Sequence, residues 1–139
     1  NVSRFADRMT GPGGFIDIAQ NTPRVCFMGS FTASGMKASA SGGILSIDRE
    51  GKSKKFVKRV SQVTFSAATA LETGQQVLYI TERAVFRLKK KGLELIEIAP
   101  GVELERDILD QMDFVPDISP ELKLMDERIF TEGKMGIGR

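Results

Sequence analysis

Residues 14–31, GFIDIAQNTPRVCFMGSF, carry the reading that decides the fold. Phe15, Ile16, Ile18 and Ala19 are apolar pairs at helical spacing, and Pro23 stops a short helix expected over 14–21. RVCFMGSF, over 24–31, is a continuous apolar run of strand length, the pattern of a strand buried on both faces. A short helix that returns at once into such a strand is an α/β signature.

Immediately before that helix stand Gly11, Pro12, Gly13 and Gly14. The cluster does not fit the dinucleotide fingerprint G-x-G-x-x-G, whose last glycine would fall on Ile16. Gly51-Lys52-Ser53 ends like a phosphate-binding P-loop, but the leading glycine would fall on Ser46. What survives is a turn whose backbone N–H groups can hold an anion or a polarised carbonyl. A plain structural corner is the competing reading, and pattern alone favours it.

Outward from this stretch, residues 1–14 read as a loop, and TASGMKASASGG (32–43) as a second, small and polar one. A hairpin is expected across 44–57. Strands are expected at VLYIT (77–81), AVFRL (84–88) and LELIEI (93–98), the last two joined by a KKKG turn whose Gly92 suits a positive φ. After Pro100-Gly101, residues 102–113 place Leu104, Ile108 and Met112 at i, i+4 and i+8, with Glu103 and Glu105 where a helix start favours negative charge. A helix is expected there, and the proline-containing stretch 114–139 is expected to be a wrapping tail. The whole reads as a mixed sheet with β-hairpins and flanking helices.

Composition narrows the chemistry. With 139 residues the chain is one domain's worth, and 41% hydrophobic with 27% charged is the ordinary globular range. Histidine is absent, which removes Ser-His-Asp and Cys-His catalysis and every His-containing metal site. The lone Cys26 excludes an intrachain disulfide and fits a reducing compartment, so a cytoplasmic location is expected. No apolar run reaches membrane-spanning length and no signal-peptide pattern is present, so no membrane partner is expected. The chain starts at Asn1 without an initiator Met, and it is expected to be a piece of something longer.

Two charge runs and one carboxylate remain. Lys52, Lys54, Lys55, Lys58 and Arg59 form the densest basic stretch and Lys89, Lys90 and Lys91 a second. A phosphate groove or a nucleic-acid face is the sharper reading, a solvated turn the favoured one, because only Phe56 interleaves and Lys plus Arg exceed Asp plus Glu by 20 − 18 = 2. Glu72-Thr73-Gly74 contains the carboxylate a covalent mechanism would want, but it lies in a polar connection where exposed glutamates are ordinary.

GPGGFIDIAQNTPRVCFMGSFTASG and ITERAVFRLKKKGLELIEIAPGVELERDILDQMDF, in this order and separation, resemble the family I CoA-transferases, in particular the propionate/acetate type with both halves fused. The resemblance runs from NVSRF to LKLMDERIF, nearly the whole chain. It implies a Rossmann-like CoA-transferase sandwich, of which residues 1–139 would be the C-terminal portion of the second, β-type domain. It also implies transfer of CoA between an acyl-CoA and a short-chain carboxylate through a glutamyl-CoA thioester, with coenzyme A esters as substrates and no permanent cofactor or metal. The family's nucleophilic glutamate lies upstream of its glycine turn, so it is expected before Asn1; Glu72 follows the turn and is not promoted. By the resemblance Gly11, Gly13 and Gly14 would border the CoA and thioester site, with Ser34 and Gly35 as weaker candidates and Lys37 near a CoA phosphate. Implied partners are the N-terminal remainder of the enzyme and other copies in a homo-oligomer, without nucleic acid. A non-catalytic α/β binding or interaction module is the alternative.

Overall fold

A computed structural model describes residues 1–3 and 11–137; the loop expected over 1–14 therefore lies largely outside the described residues. The chain forms an α/β fold around one five-stranded mixed sheet. Its first helix, α1 (Phe15–Asn21), follows the glycine cluster and ends before Pro23. Of the apolar residues expected to anchor it, Ala19 is buried and Phe15 half-buried, whereas Ile18 is 72% exposed.

The strand β1 (Arg24–Met28) is shorter than expected and is not buried on both faces. Val25 and Phe27 point inward; Cys26 is exposed and Met28 is 77% exposed. Among the described residues β1 is an edge strand paired with β6 (Gln76–Ile80) alone, parallel, in the register Val25↔Val77 and Phe27↔Tyr79, and the face carrying Cys26 and Met28 is left open. Then β6 pairs antiparallel with β7 (Ala84–Lys89), and β7 antiparallel with β8 (Gly92–Ile98), across the expected turn.

Between β1 and β6 the chain builds a side lobe. Two short strands, β2 (Thr32–Ala33) and β5 (Ser53–Lys54), pair antiparallel. The hairpin expected across 44–57 is displaced: β3 (Lys37–Ser41) pairs with β4 (Ile44–Arg49), so the small polar stretch is a strand. Every residue of β3 is exposed, so no inward apolar alternation marks it, and the tight loop rests on Gly42 and Gly43, both at positive φ. A second helix, α2 (Ala67–Glu72), occupies part of the stretch read as a polar connection; Ser66 caps it by accepting from the Thr69 N–H.

Two further expectations are corrected. Residues 102–113 do not form an α-helix: Leu104–Ile108 is a π-helical turn followed by a 3₁₀ turn, Leu109–Gln111. The Asp107 carboxylate accepts the Glu103 N–H at 2.9 Å, and the Asp107 carbonyl accepts from Arg83 at 3.1 Å. Nor is 114–139 only a wrapping tail, because β9 (Asp117–Leu124) joins the sheet parallel to β8 and Phe130 is buried in a following 3₁₀ turn. Pro120 sits inside β9, which is tolerated because β9 is the other edge strand.

The core lies on the Phe27–Tyr79 side of the sheet. Phe31, Phe65, Phe86, Leu95 and Ile108 are fully buried. Phe27 packs edge-on against Phe65 at 4.9 Å and stacks on Tyr79 at 5.4 Å, while Phe56 bridges Phe31 and Phe86. No helix among the described residues is long and apolar enough to cross a membrane.

Candidate functional site

The helix α1 descends while β1 ascends, so the glycine turn and the carboxyl end of β1 lie at the same end of the sheet. Contact of the Phe15 and Phe27 rings, 5.9 Å apart, fixes this arrangement. In open α/β sheets ligands gather where parallel strands end. Here an open groove of about 1040 Å³ begins at Met28, Gly29 and Ser30, beyond the last residues of β1, and crosses Tyr79 toward Leu93.

Aromatic side chains form much of its wall: Phe15, Phe27, Phe56 and Tyr79. Its rim carries Lys54, Lys55, Lys58 and Arg59, so the basic run read as a solvated turn lies along a groove. Lys54 is engaged, donating to the Met112 carbonyl at 3.2 Å and pairing with Asp113 at 3.5 Å. Lys55 donates to the Ser30 carbonyl at 2.6 Å. Tyr79 is deeply buried and its hydroxyl has no hydrogen-bond partner among the described residues; burial pushes the phenol up to about 12.

The remaining sequence candidates divide by position. Gly11, Gly13 and Gly14 are exposed, and they lead directly into Phe15 on the groove wall. Gly13 has φ +58°, and a Cβ added at Gly11 or Gly13 would meet nothing within 4 Å, so the turn leaves its backbone open to approach. Ser34 and Gly35 do not line the groove. Ser34 contacts the Ser53 hydroxyl at 2.9 Å and Gly35 accepts from Arg49 at 2.7 Å, which fixes the loop between β2 and β3. Lys37 lies on the exposed hairpin strand β3. Glu72 ends α2 just before β6 begins, so it belongs to the amino end of that strand, opposite the glycine turn. The second basic run sits in the β7–β8 turn, where Lys89 pairs with Glu94 at 3.7 Å. No cluster of three His, Cys, Asp or Glu side chains fit to hold a metal occurs among the described residues.

One group behind the site has no sequence signature. Arg83, fully buried, donates to Glu50 at 2.6 Å, to Glu82 at 2.7 Å and to the Asp107 carbonyl, and its guanidinium lies 5.1 Å from the Phe31 ring centre. Glu82 also accepts the Phe31 N–H at 2.8 Å, and Glu50 accepts from the Thr32 hydroxyl and the Gly51 N–H. Burial acts to raise the Glu50 carboxyl, but hydrogen bonds from Arg83, Thr32 and Gly51 outweigh it and hold it below the ordinary value. The result is a pinned chain path over Ser30, Phe31 and Thr32, the exit from β1 into the groove rim.

No family model matches the chain. It is 54% identical over 135 residues to acetate CoA-transferase YdiF of Escherichia coli strain K12, covering 97% of this chain and 25% of that protein. It is 53% identical over 137 residues to caffeate CoA-transferase of Acetobacterium woodii, covering 95% of this chain and 26% of that protein. The crystal structure of the acyl-CoA transferase YdiF apoenzyme from Escherichia coli O157:H7 superposes with a TM-score of 0.95 over 99% of this chain, at 53% identity. Over nearly its whole length the chain is similar in sequence and fold to these CoA-transferases. The same fit, with TM-score 0.95, holds for the thioester complex of the Escherichia coli O157:H7 protein with CoA. The chain spans about a quarter of the length of these CoA-transferases.

Proposed function

We propose that the chain forms part of an acyl-CoA:carboxylate CoA-transferase that moves CoA between short-chain carboxylic acids. The observation that carries this is the near-complete superposition on a CoA-transferase whose structure is also known as a CoA thioester complex. A glutamate supplied by sequence outside residues 1–139 attacks the acyl-CoA carbonyl. The C–S bond breaks, leaving a mixed acyl–glutamyl anhydride and CoA thiolate. The thiolate then attacks the glutamyl carbonyl, forming the glutamyl-CoA thioester and releasing the first carboxylate. A second carboxylate takes CoA by the reverse sequence. Each step exchanges one activated acyl group for another, which divides a difficult transfer into easier ones.

In this proposal the 11–14 turn forms one wall of the CoA-ester site: it does not itself line the groove, but its open backbone leads into Phe15, which does. Ser34 and Gly35 take part only as the outer margin of the site, since their contacts belong to the β2–β3 loop. The test is CoA exchange between acetyl-CoA and propionate. The full reading frame carrying this chain is expected to turn over and the purified 139-residue chain to be inert. An inert full-length protein, or turnover by the 139-residue chain freed of any full-length enzyme, would overturn the assignment.

A further inference from the structure

We propose that Glu82 is a positioning residue of the groove: its carboxylate ties the buried Arg83 to the backbone at Phe31 and so sets where the rim stands. This rests on the CoA-transferase reading for what the groove binds. It adds a residue that neither lines the groove nor takes part in the proposed chemistry.

The rim begins where the sheet stops holding the chain. Just past β1 the Gly29 N–H still reaches the Ile80 carbonyl at 3.1 Å, and β2 starts only at Thr32. Gly29, Ser30 and Phe31 belong to neither strand, yet Gly29 and Ser30 line the groove. Side chains hold this stretch instead. From the groove side, Lys55 donates to the Ser30 carbonyl at 2.6 Å. From behind, Glu82 accepts the Phe31 N–H at 2.8 Å on one carboxylate oxygen and the Arg83 Nε–H at 2.7 Å on the other. Arg83 is fully buried and also donates to Glu50 and to the Asp107 carbonyl, so the far end of this strut is fixed.

Two routes carry that position to the groove. The backbone route is one residue long, from the Phe31 N–H to Ser30. The second runs through rings: Phe31, fully buried, lies 4.7 Å from Phe56, which forms part of the groove wall. The chain that follows is strained. Ser34, at φ +65°, holds a conformation that a non-glycine residue keeps only where its surroundings enforce it. A rim constrained in this way has its position set before a ligand arrives, and binding suffers when the supporting contact is lost.

The protein made from the full reading frame is assayed for CoA exchange between acetyl-CoA and propionate as wild type, Glu82→Ala, Glu82→Gln and Leu45→Ala. Glu82→Ala releases the Phe31 N–H, so KM for acetyl-CoA is expected to rise about tenfold with kcat within about threefold, the signature of a lost binding contact. Glu82→Gln offers one acceptor oxygen to two donors, and its KM is expected to lie between those of wild type and Glu82→Ala. Leu45→Ala empties a buried position that does not line the groove. It lowers stability without touching the rim, and both constants are expected to stay at wild-type values. Folding is checked by far-ultraviolet circular dichroism. A KM within about twofold of wild type in folded Glu82→Ala, a fall in kcat with KM unmoved, or an equal rise in KM in Leu45→Ala would overturn the inference. If Glu82→Ala does not fold, Glu82→Gln decides by the same criteria. A wild type without exchange activity overturns the CoA-transferase assignment and this inference with it; an active wild type with any of the contrary variant results overturns this inference alone.

Discussion

At the scale of single residues, Arg83 and Tyr79 make the sharpest claims. Arg83→Leu removes the cation from a site where Glu50 and Glu82 converge, so about 3 kcal/mol of unfolding free energy should be lost in urea denaturation. A loss within about 0.5 kcal/mol, the range of ordinary surface substitutions, would show that the cluster is not holding the β1 exit loop. The Glu50 carboxyl is held below its ordinary value, so its contribution is full above the unfolded-state value near 4.5 and is lost as pH falls through the lower folded value. Acid destabilisation in that window should flatten in Arg83→Leu. Tyr79 runs the other way. Its phenol is raised from 10 to about 12, so the neutral form is stabilised by the fold; that stability is complete below pH 10 and lost as pH rises through 12. Ultraviolet difference titration of this single phenol should show ionisation well above the ordinary value, and a midpoint at 10 would contradict its burial. Arg83 was not legible beforehand, because it follows Glu82 in a short polar link between strands and nothing in Thr81-Glu82-Arg83 announces a buried charge. The 11–14 turn, by contrast, was legible as a turn from its glycines and proline, and Gly13 adopts φ +58° there.

At the scale of elements, helix α2 shows why part of the fold was hidden. It has six residues, too few for helical periodicity to stand out, and its identity depends on the Ser66 cap. Ser66 accepts both the Thr69 N–H at 3.3 Å and the Thr69 hydroxyl at 3.1 Å. Ser66→Ala should therefore cost about 1 kcal/mol in thermal or urea unfolding; no measurable change would mean that packing of Ala70 alone holds the helix. The central strands were legible because Val77, Tyr79, Phe86 and Leu95 alternate into a core. The strand β3 was not, since its five residues are all exposed, and β9 was masked by Pro120, which an edge strand accepts. The π-helical turn at Leu104–Ile108 escaped for a different reason. Its apolar spacing is helical, but the turn is held by the Asp107 carboxylate on the Glu103 N–H and by Arg83 on the Asp107 carbonyl, contacts that no spacing announces.

At the scale of the molecule, the sheet ends on two edges, β1 and β9, and large apolar side chains stand in the open near both. Met28 is 77% exposed and Leu124 60% exposed. Unpaired edges with apolar flanks recruit other strands and surfaces. The isolated 139-residue chain should therefore elute in size-exclusion chromatography above its monomer mass of 15.3 kDa at high concentration. A clean monomer there would show that the edges are adequately protected. The central claim is that this chain supplies a wall, and not the nucleophile, of a CoA-transferase site. Mass analysis of peptides from the full reading frame, after incubation with acyl-CoA, tests it most directly. A CoA adduct on a glutamate outside residues 1–139 is the predicted result; no adduct, or one on a glutamate within these residues such as Glu72, would contradict it.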